Sequence, residues 1–205
     1  METLQVDIFT GGLFETNSYY LPDSRILVDA PEDTADWLQR QGHHVDTLLL
    51  THGHVDHVWD AARIQREHGC AVYYHADTAP MVLDPEFYKR VGFLWSIEPL
   101  VAGLHLGECS DVALGGVIFQ VLEVPGHCPG SLCFLHKASG VLLGGDVLFA
   151  GGVGRWDLPG GDRELLLSGI RSKLLTLGDE IRVWPGHGPT TTIGRERVGN
   201  PYLQD

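Results

Sequence analysis

The sequence predicts an α/β protein, and two observations carry that reading. Short apolar runs alternate with amphipathic stretches in the order strand, helix, strand, helix, strand. Several of these runs end at small-residue turns that carry a histidine or an aspartate, and that edge of a sheet is where α/β proteins place their chemistry. A chain of 205 residues, 43% of them hydrophobic, is long enough for one domain with a sizeable core, taken as 1–205.

Each element has its own signal. Residues 3–9 alternate and predict a strand, and Gly11-Gly12 a loop. Residues 17–21 and 25–29 predict two more strands, joined at the turn Pro22-Asp23-Ser24. A helix over 33–41 stops at Gly42, and a strand over 45–51 follows. A second helix runs over 58–68 to Gly69, then a strand over 71–75. Between 78 and 101 the pattern weakens. Met81, Phe87, Tyr88, Phe93, Leu94 and Trp95 lie scattered among prolines and charges. They predict a partly helical insert whose aromatics either wall a pocket or fill the core. Residues 117–124, 131–136, 141–143 and 182–184 predict four further strands. A helix fits 162–177, with Asp162 as N-cap and Leu166, Ile170, Leu174 and Leu177 at helical spacing. No internal repeat, low-complexity tract or linker interrupts this order. Two packed sheets with helices outside are expected.

The stretch Thr51-His52-Gly53-His54-Val55-Asp56-His57 dominates the chemistry. It places three imidazoles and one carboxylate within six residues, between an apolar strand and a helix. His52 and His54 are two apart, so in an extended segment they point the same way and reach one metal ion. Asp56 and His57 diverge from that pair and reach a second. Neutral imidazole and carboxylate suit zinc, iron or manganese. Three later residues share one local pattern, an apolar strand, a small-residue turn and then a metal-type side chain. They are His127 after Pro125-Gly126, Asp146 after Gly144-Gly145, and His187 after Pro185-Gly186. Glycine at such turns lets the backbone bend sharply and approach an ion closely. Asp29 closes its strand either as a turn residue or as a support for the metal loop.

Composition narrows the partners. A net charge of -13 argues against a nucleic-acid groove, although bound cations invert the sign locally and permit an anionic small molecule. The segment from Met1 to Asp7 lacks the basic and apolar regions of a secretory signal. No run of about 18 uncharged apolar residues predicts a membrane span. The four cysteines, Cys70, Cys109, Cys128 and Cys133, form no CxxC pair, so reduced thiols and a cytoplasmic location are expected.

The ordered set resembles the metallo-β-lactamase superfamily, in its glyoxalase II-like (hydroxyacylglutathione hydrolase-like) branch. The resemblance rests on Thr51 to His57, Pro125-Gly126-His127, Gly145-Asp146, Gly154-Arg155-x-Asp157 and Pro185-Gly186-His187-Gly188-Pro189, with the closing Glu196-Arg197 and Asn200-Pro201. It implies an αββα sandwich of two mixed sheets with the site at one edge. It implies two divalent metal ions, the first held by His52, His54 and His127, the second by Asp56, His57 and His187, with Asp146 bridging. Zinc leads, with iron or manganese as alternatives. The implied reaction is hydrolysis of a small-molecule thioester, such as an acyl-glutathione, by a metal-bridging hydroxide that Asp56 also orients. Glyoxalase II enzymes carry a C-terminal helical extension that contacts glutathione. Only 18 residues follow His187 here, which points to a short type.

Other readings meet the same residues. A mononuclear-iron persulfide dioxygenase would use His52, His127 and Asp146. A β-lactamase would use four of the ligands, but nothing in the sequence points to lactam recognition. A superfamily nuclease is disfavoured by length and charge, and a non-catalytic metal-binding module by the complete ligand set. His43, His44, His68, His75, His105 and His136 sit in no matching motif and read as surface or structural. Cys128 reads as a packed small side chain rather than an extra ligand or redox-active thiol. Arg155 reads as a brace paired with Asp157. Trp156 stands where the branch carries Thr, and is expected to reshape one pocket wall.

Overall fold

In the computed structural model the first six strands make one sheet, in sequential order. They are β1 (Asp7–Gly11), β2 (Thr16–Leu21), β3 (Ile26–Val28), β4 (Thr47–Leu49), β5 (Ala71–Tyr74) and β6 (Leu104–His105). The first three run antiparallel, and β3 to β6 run parallel. The second sheet begins with β7 (Cys109–Leu114), β8 (Val117–Glu123), β9 (Leu132–His136) and β10 (Val141–Gly145). A small ribbon of β11 (Leu148–Phe149) and β12 (Gly152–Val153) intervenes. Then β13 (Arg182–Pro185) joins β10 in parallel, and β14 (Thr191–Thr192) closes the order β14-β13-β10-β9-β8-β7. The helices are α1 (Thr34–Gln41), α2 (Val55–Val58), α3 (Ala61–His68), α4 (Ala79–Leu83), α5 (Phe87–Arg90), α6 (Arg163–Gly169) and α7 (Ile193–Gly199). The structure describes residues 3–204, with the backbone alone at Ser110; Met1, Glu2 and Asp205, counted in the domain expected over 1–205, lie outside the described residues.

The pleat sorts side chains into three cores. Successive strand residues face opposite sides. Ile26 and Val28 therefore point into the space between the sheets with Leu49, Phe119, Phe134, Val141 and Leu143. Leu27, Leu48 and Leu50 point outward and meet Leu38, Val58 and Ile64 of α1, α2 and α3. Leu142 and Val183 point outward from the second sheet onto Leu166, Ile170 and Ile193. Strands buried on both faces read as continuous apolar runs, which is why Leu48-Leu49-Leu50 and Val141-Leu142-Leu143 carry no polar alternation. The layers are helix, sheet, sheet, helix, the αββα order the resemblance implies.

Some boundaries differ from the expectation. The first strand is Asp7–Gly11 rather than 3–9, because its partner β2 pairs only from Tyr20 opposite Asp7 to Thr16 opposite Gly11. The helix expected over 58–68 is two helices, Val55–Val58 and Ala61–His68. Asp60 stands at the break. Its amide donates to Ala30 O at 2.9 Å, and its Oδ2 accepts from Ala35 N at 2.9 Å. The helix expected over 162–177 begins as predicted, with Asp162 Oδ1 accepting from Leu165 N at 2.9 Å. It then widens into a π-turn over Ile170–Leu174. The insert serves both expected roles. Met81 and Val82 are buried in the outer core, while Tyr88, Phe93 and Trp95 line a cavity.

Strand direction brings the chemistry to one edge. β8, β10 and β13 run the same way, so His127, Asp146 and His187 all follow strand ends on one side of the second sheet. β3 and β4 are parallel, so Asp29 and His52 follow strand ends in the first sheet. A bridge between Thr16 and His187 joins the two sheets at that edge.

Candidate metal centre

All seven sequence-predicted ligands meet at this edge. Single donor atoms lie within 4.8 Å of one another in three groups, His52 with His54 and His127, His52 with His57 and Asp146, and Asp56 with His57 and His187. His52 Nε2 lies 3.3 Å from His127 Nε2, and His57 Nε2 lies 3.4 Å from His187 Nε2. Two nitrogens on a tetrahedral zinc ion stand roughly 3.3–3.4 Å apart, given bonds of about 2.0–2.1 Å. The spacing within each half therefore fits ligation. Asp146 lies between the halves. Its Oδ2 is 3.5 Å from His127 Nε2 and 3.4 Å from His187 Nε2. Its Oδ1 is 3.3 Å from His57 Nε2, yet is buried without a hydrogen-bond partner among the described residues. A buried carboxylate oxygen left this way has the character of a metal ligand.

The rings are aimed from behind. His57 Nδ1 donates to Asp29 Oδ2 at 2.7 Å, His127 Nδ1 to Arg155 O at 2.8 Å, and His187 Nδ1 to Phe14 O at 2.9 Å. Thr51 Oγ1 donates to Asp29 Oδ2 at 2.7 Å and faces His52 Nδ1 at 3.0 Å. Each contact engages the outer nitrogen and turns Nε2 inward, the arrangement that fixes tautomer and orientation in metal sites. Asp29 thus supports the metal loop.

Burial and charge divide the cluster. Burial, helped by neighbouring imidazoles, pushes His52 well down and His54 down to about 3, and burial also lowers His127. These three rings are neutral donors. Burial acts the same way on His57 and His187, but carboxylates override it. Asp146, Asp29 and Asp56 hold His57 well above its usual value, and hydrogen bonds to Asp146 and Asp56 push His187 up to about 10. Burial opposes ionisation of Asp56 and Asp146, yet the adjacent His57 and His187 keep both well below the usual carboxylate range. This acidic half is built for positive charge.

Sequence reasoning missed several supports. Thr16 Oγ1 donates to Asp56 Oδ2 at 2.9 Å. Asn17 Nδ2 donates to Pro185 O at 3.1 Å and Gly188 O at 3.0 Å, and Tyr19 Oη donates to Pro185 O at 2.7 Å. Together they lace β2 to the turn that carries His187. Tyr88 Oη donates to Gly53 O between the first two histidines. The one available signal was the period-two placing of Asn17 and Tyr19 on a single face of β2.

The flanking residues separate cleanly from the cluster. Cys128 is buried, its Sγ 3.7 Å from Met81 Sδ, and burial pushes its thiol up to about 12, so it is a packed side chain. Arg155 forks onto Asp157 at 2.7 Å through both Nε and Nη2. Trp156 does not reshape the pocket wall as expected. It packs on the outer core of the second sheet, edge-on to Tyr202 at 6.1 Å. The six remaining histidines lie outside the three donor groups.

A family model described as the Metallo-beta-lactamase superfamily matches residues 11–187, from the end of β1 to the last proposed ligand. A hydroxyacylglutathione hydrolase, GloC of Haemophilus influenzae, is 39% identical over 78% of this chain and 76% of its own. The crystal structure of the BLEG-1 B3 metallo-beta-lactamase superposes with a TM-score of 0.86 at 33% identity, covering 98% of this chain and 100% of that one. A structure of TTHA1623 in a di-iron-bound form gives 0.84 at 35% identity, covering 97% and 100%. Fold, family match and the His/Asp edge lead to one conclusion: the chain belongs to the metallo-beta-lactamase superfamily.

Proposed function

We propose that this protein is a binuclear metallohydrolase that cleaves thioesters, in the manner of the hydroxyacylglutathione hydrolases it resembles. The observation that carries the reading is the intact second half of the centre, Asp56, His57 and His187, beside the first. His52, His54 and His127 would hold one divalent cation, Asp56, His57 and His187 the other, and Asp146 would serve both. Zinc leads on ligand chemistry, and the di-iron relative keeps iron in play. When bound, such a pair polarises an acyl carbonyl and lowers the pKa of a shared water. The chain's own groups do the rest. Asp56, steadied by Thr16, orients the attacking water. The imidazoles, locked from behind, hold the reacting geometry. The water oxygen joins the acyl carbon and the C–S electron pair leaves with sulfur. The products are a carboxylic acid, which ionises, and a thiol.

A mononuclear-iron dioxygenase would need only His52, His127 and Asp146, and would leave Asp56 and His187 without a role. Thiol release from an acyl-glutathione tests the proposal. His187→Ala is expected to bind one metal equivalent fewer and to lose at least about 100-fold in kcat/KM, since even outer partners of a metal site cost 10–100-fold. Oxygen uptake with a persulfide substrate, and no thiol release, would overturn it.

A further inference from the structure

A cavity of about 460 Å³ opens over the metal centre, and its walls do not match the thiol half of a common thioester. They are formed largely by Phe14, Tyr88, Phe93, Trp95, Phe149 and Leu158. Phe93 stacks on Trp95 with centroids 5.3 Å apart and planes at 13°, and Phe14 meets Trp95 edge-on at 5.7 Å. A smaller pocket of about 100 Å³ shares Phe14, Val55, Asp56 and Trp95 and adds Gly12, Leu13, Trp59 and one carboxylate, Glu32. The apolar character continues outward, since Leu13 is 82% and Leu94 98% exposed beside these walls. Soluble domains rarely leave side chains of this kind clustered at a site without use.

Charge points the same way. Among the described residues, Arg155 is the one arginine or lysine lining the cavity, and both arms of its fork are held by Asp157. The carboxylates of a peptidic thiol, or the phosphates of a nucleotide-bearing one, meet in this wall a single guanidinium that is already paired with Asp157. A chain of net charge -13 adds no general attraction for them.

We infer that the cavity selects thioesters by a bulky apolar acyl group, aromatic or branched aliphatic, and leaves the thiol half in solvent. The inference rests on the hydrolase reading above. The acyl group lies against the Phe93–Trp95 pair while its carbonyl faces the His/Asp edge.

The test uses metal-loaded wild-type protein and thioesters of one small neutral thiol, N-acetylcysteamine, so that the acyl group alone varies. From acetyl through butyryl to hexanoyl, kcat/KM is expected to rise about threefold to fourfold per methylene, with phenylacetyl also well above acetyl. Trp95→Ala is expected to flatten the series. A glutathione thioester of the same acyl group is expected to react within about threefold of the N-acetylcysteamine one. A flat or falling series, or a larger glutathione advantage, overturns the inference. Failure of every thioester would defeat the hydrolase reading instead. Calorimetric binding of acetate, hexanoate and 4-phenylbutyrate then decides the apolar site alone. Tighter binding of the larger acids, lost in Trp95→Ala, supports it, and equal affinities overturn it.

Discussion

Asp29 accepts from Thr51 N at 2.8 Å, from Thr51 Oγ1 and from His57 Nδ1, so one buried carboxylate orients both His57 and the residue next to His52. Its backbone sits at φ 60, a left-handed conformation that a non-glycine residue keeps only where its surroundings enforce it. Asp29→Asn puts an amide N–H against one of those donors. The expected outcome is a folded protein whose metal affinity falls about 10–100-fold, read by competition with a chromophoric chelator. Unchanged affinity would limit Asp29 to a turn role. Four of the seven proposed ligands were legible because they crowd into Thr51 to His57, and the other three because each follows an apolar strand and a small-residue turn. Thr16 and Asn17 were not, since their partners lie 40 and 168 residues away.

The turns after β8, β10 and β13 are tight for a reason visible at Gly186. A Cβ there would meet Asp146 Oδ1, and His57 Cε1 at 2.6 Å. Gly186→Ala is therefore expected to destabilise the protein by about 1–3 kcal/mol and to reduce occupancy of the acidic half, read by thermal unfolding and metal analysis. The helix stops were legible from the sequence, and Gly42 and Gly69 cap α1 and α3 at φ 71 and 66. The strand β7 and the ribbon of β11 and β12 were not. Cys109-Ser110-Asp111 breaks the apolar alternation, and β7 shifts register against β8 between Cys109 and Val112. β11 and β12 have two residues each, too few for any period to show. The helix α7 was also missed, because Arg195 and Arg197 face outward or to Leu175 O while only Ile193 and Glu196 are buried.

Across the whole molecule, two sheets bring two unlike half-sites together, one of neutral imidazoles and one of histidines whose protonated form is favoured by ionised carboxylates. Ligation requires the neutral ring, so metal loading at pH 7 is expected to release about two protons, from His57 and His187, and affinity is expected to rise with pH. The sign for the metal-free protein is opposite. His187, raised from 6.5 to about 10, adds stability that is full below the lower value and is lost as pH climbs through the higher one. Thermal unfolding of chelated protein between pH 6.5 and 10 is thus expected to show a decline that loaded protein lacks. The metal content of the purified protein, measured per chain and by element, tests the binuclear centre most directly. Two equivalents of zinc, or of mixed zinc, iron and manganese, are expected, falling to about one in His187→Ala. One equivalent of iron, unchanged by that substitution, would contradict the binuclear centre.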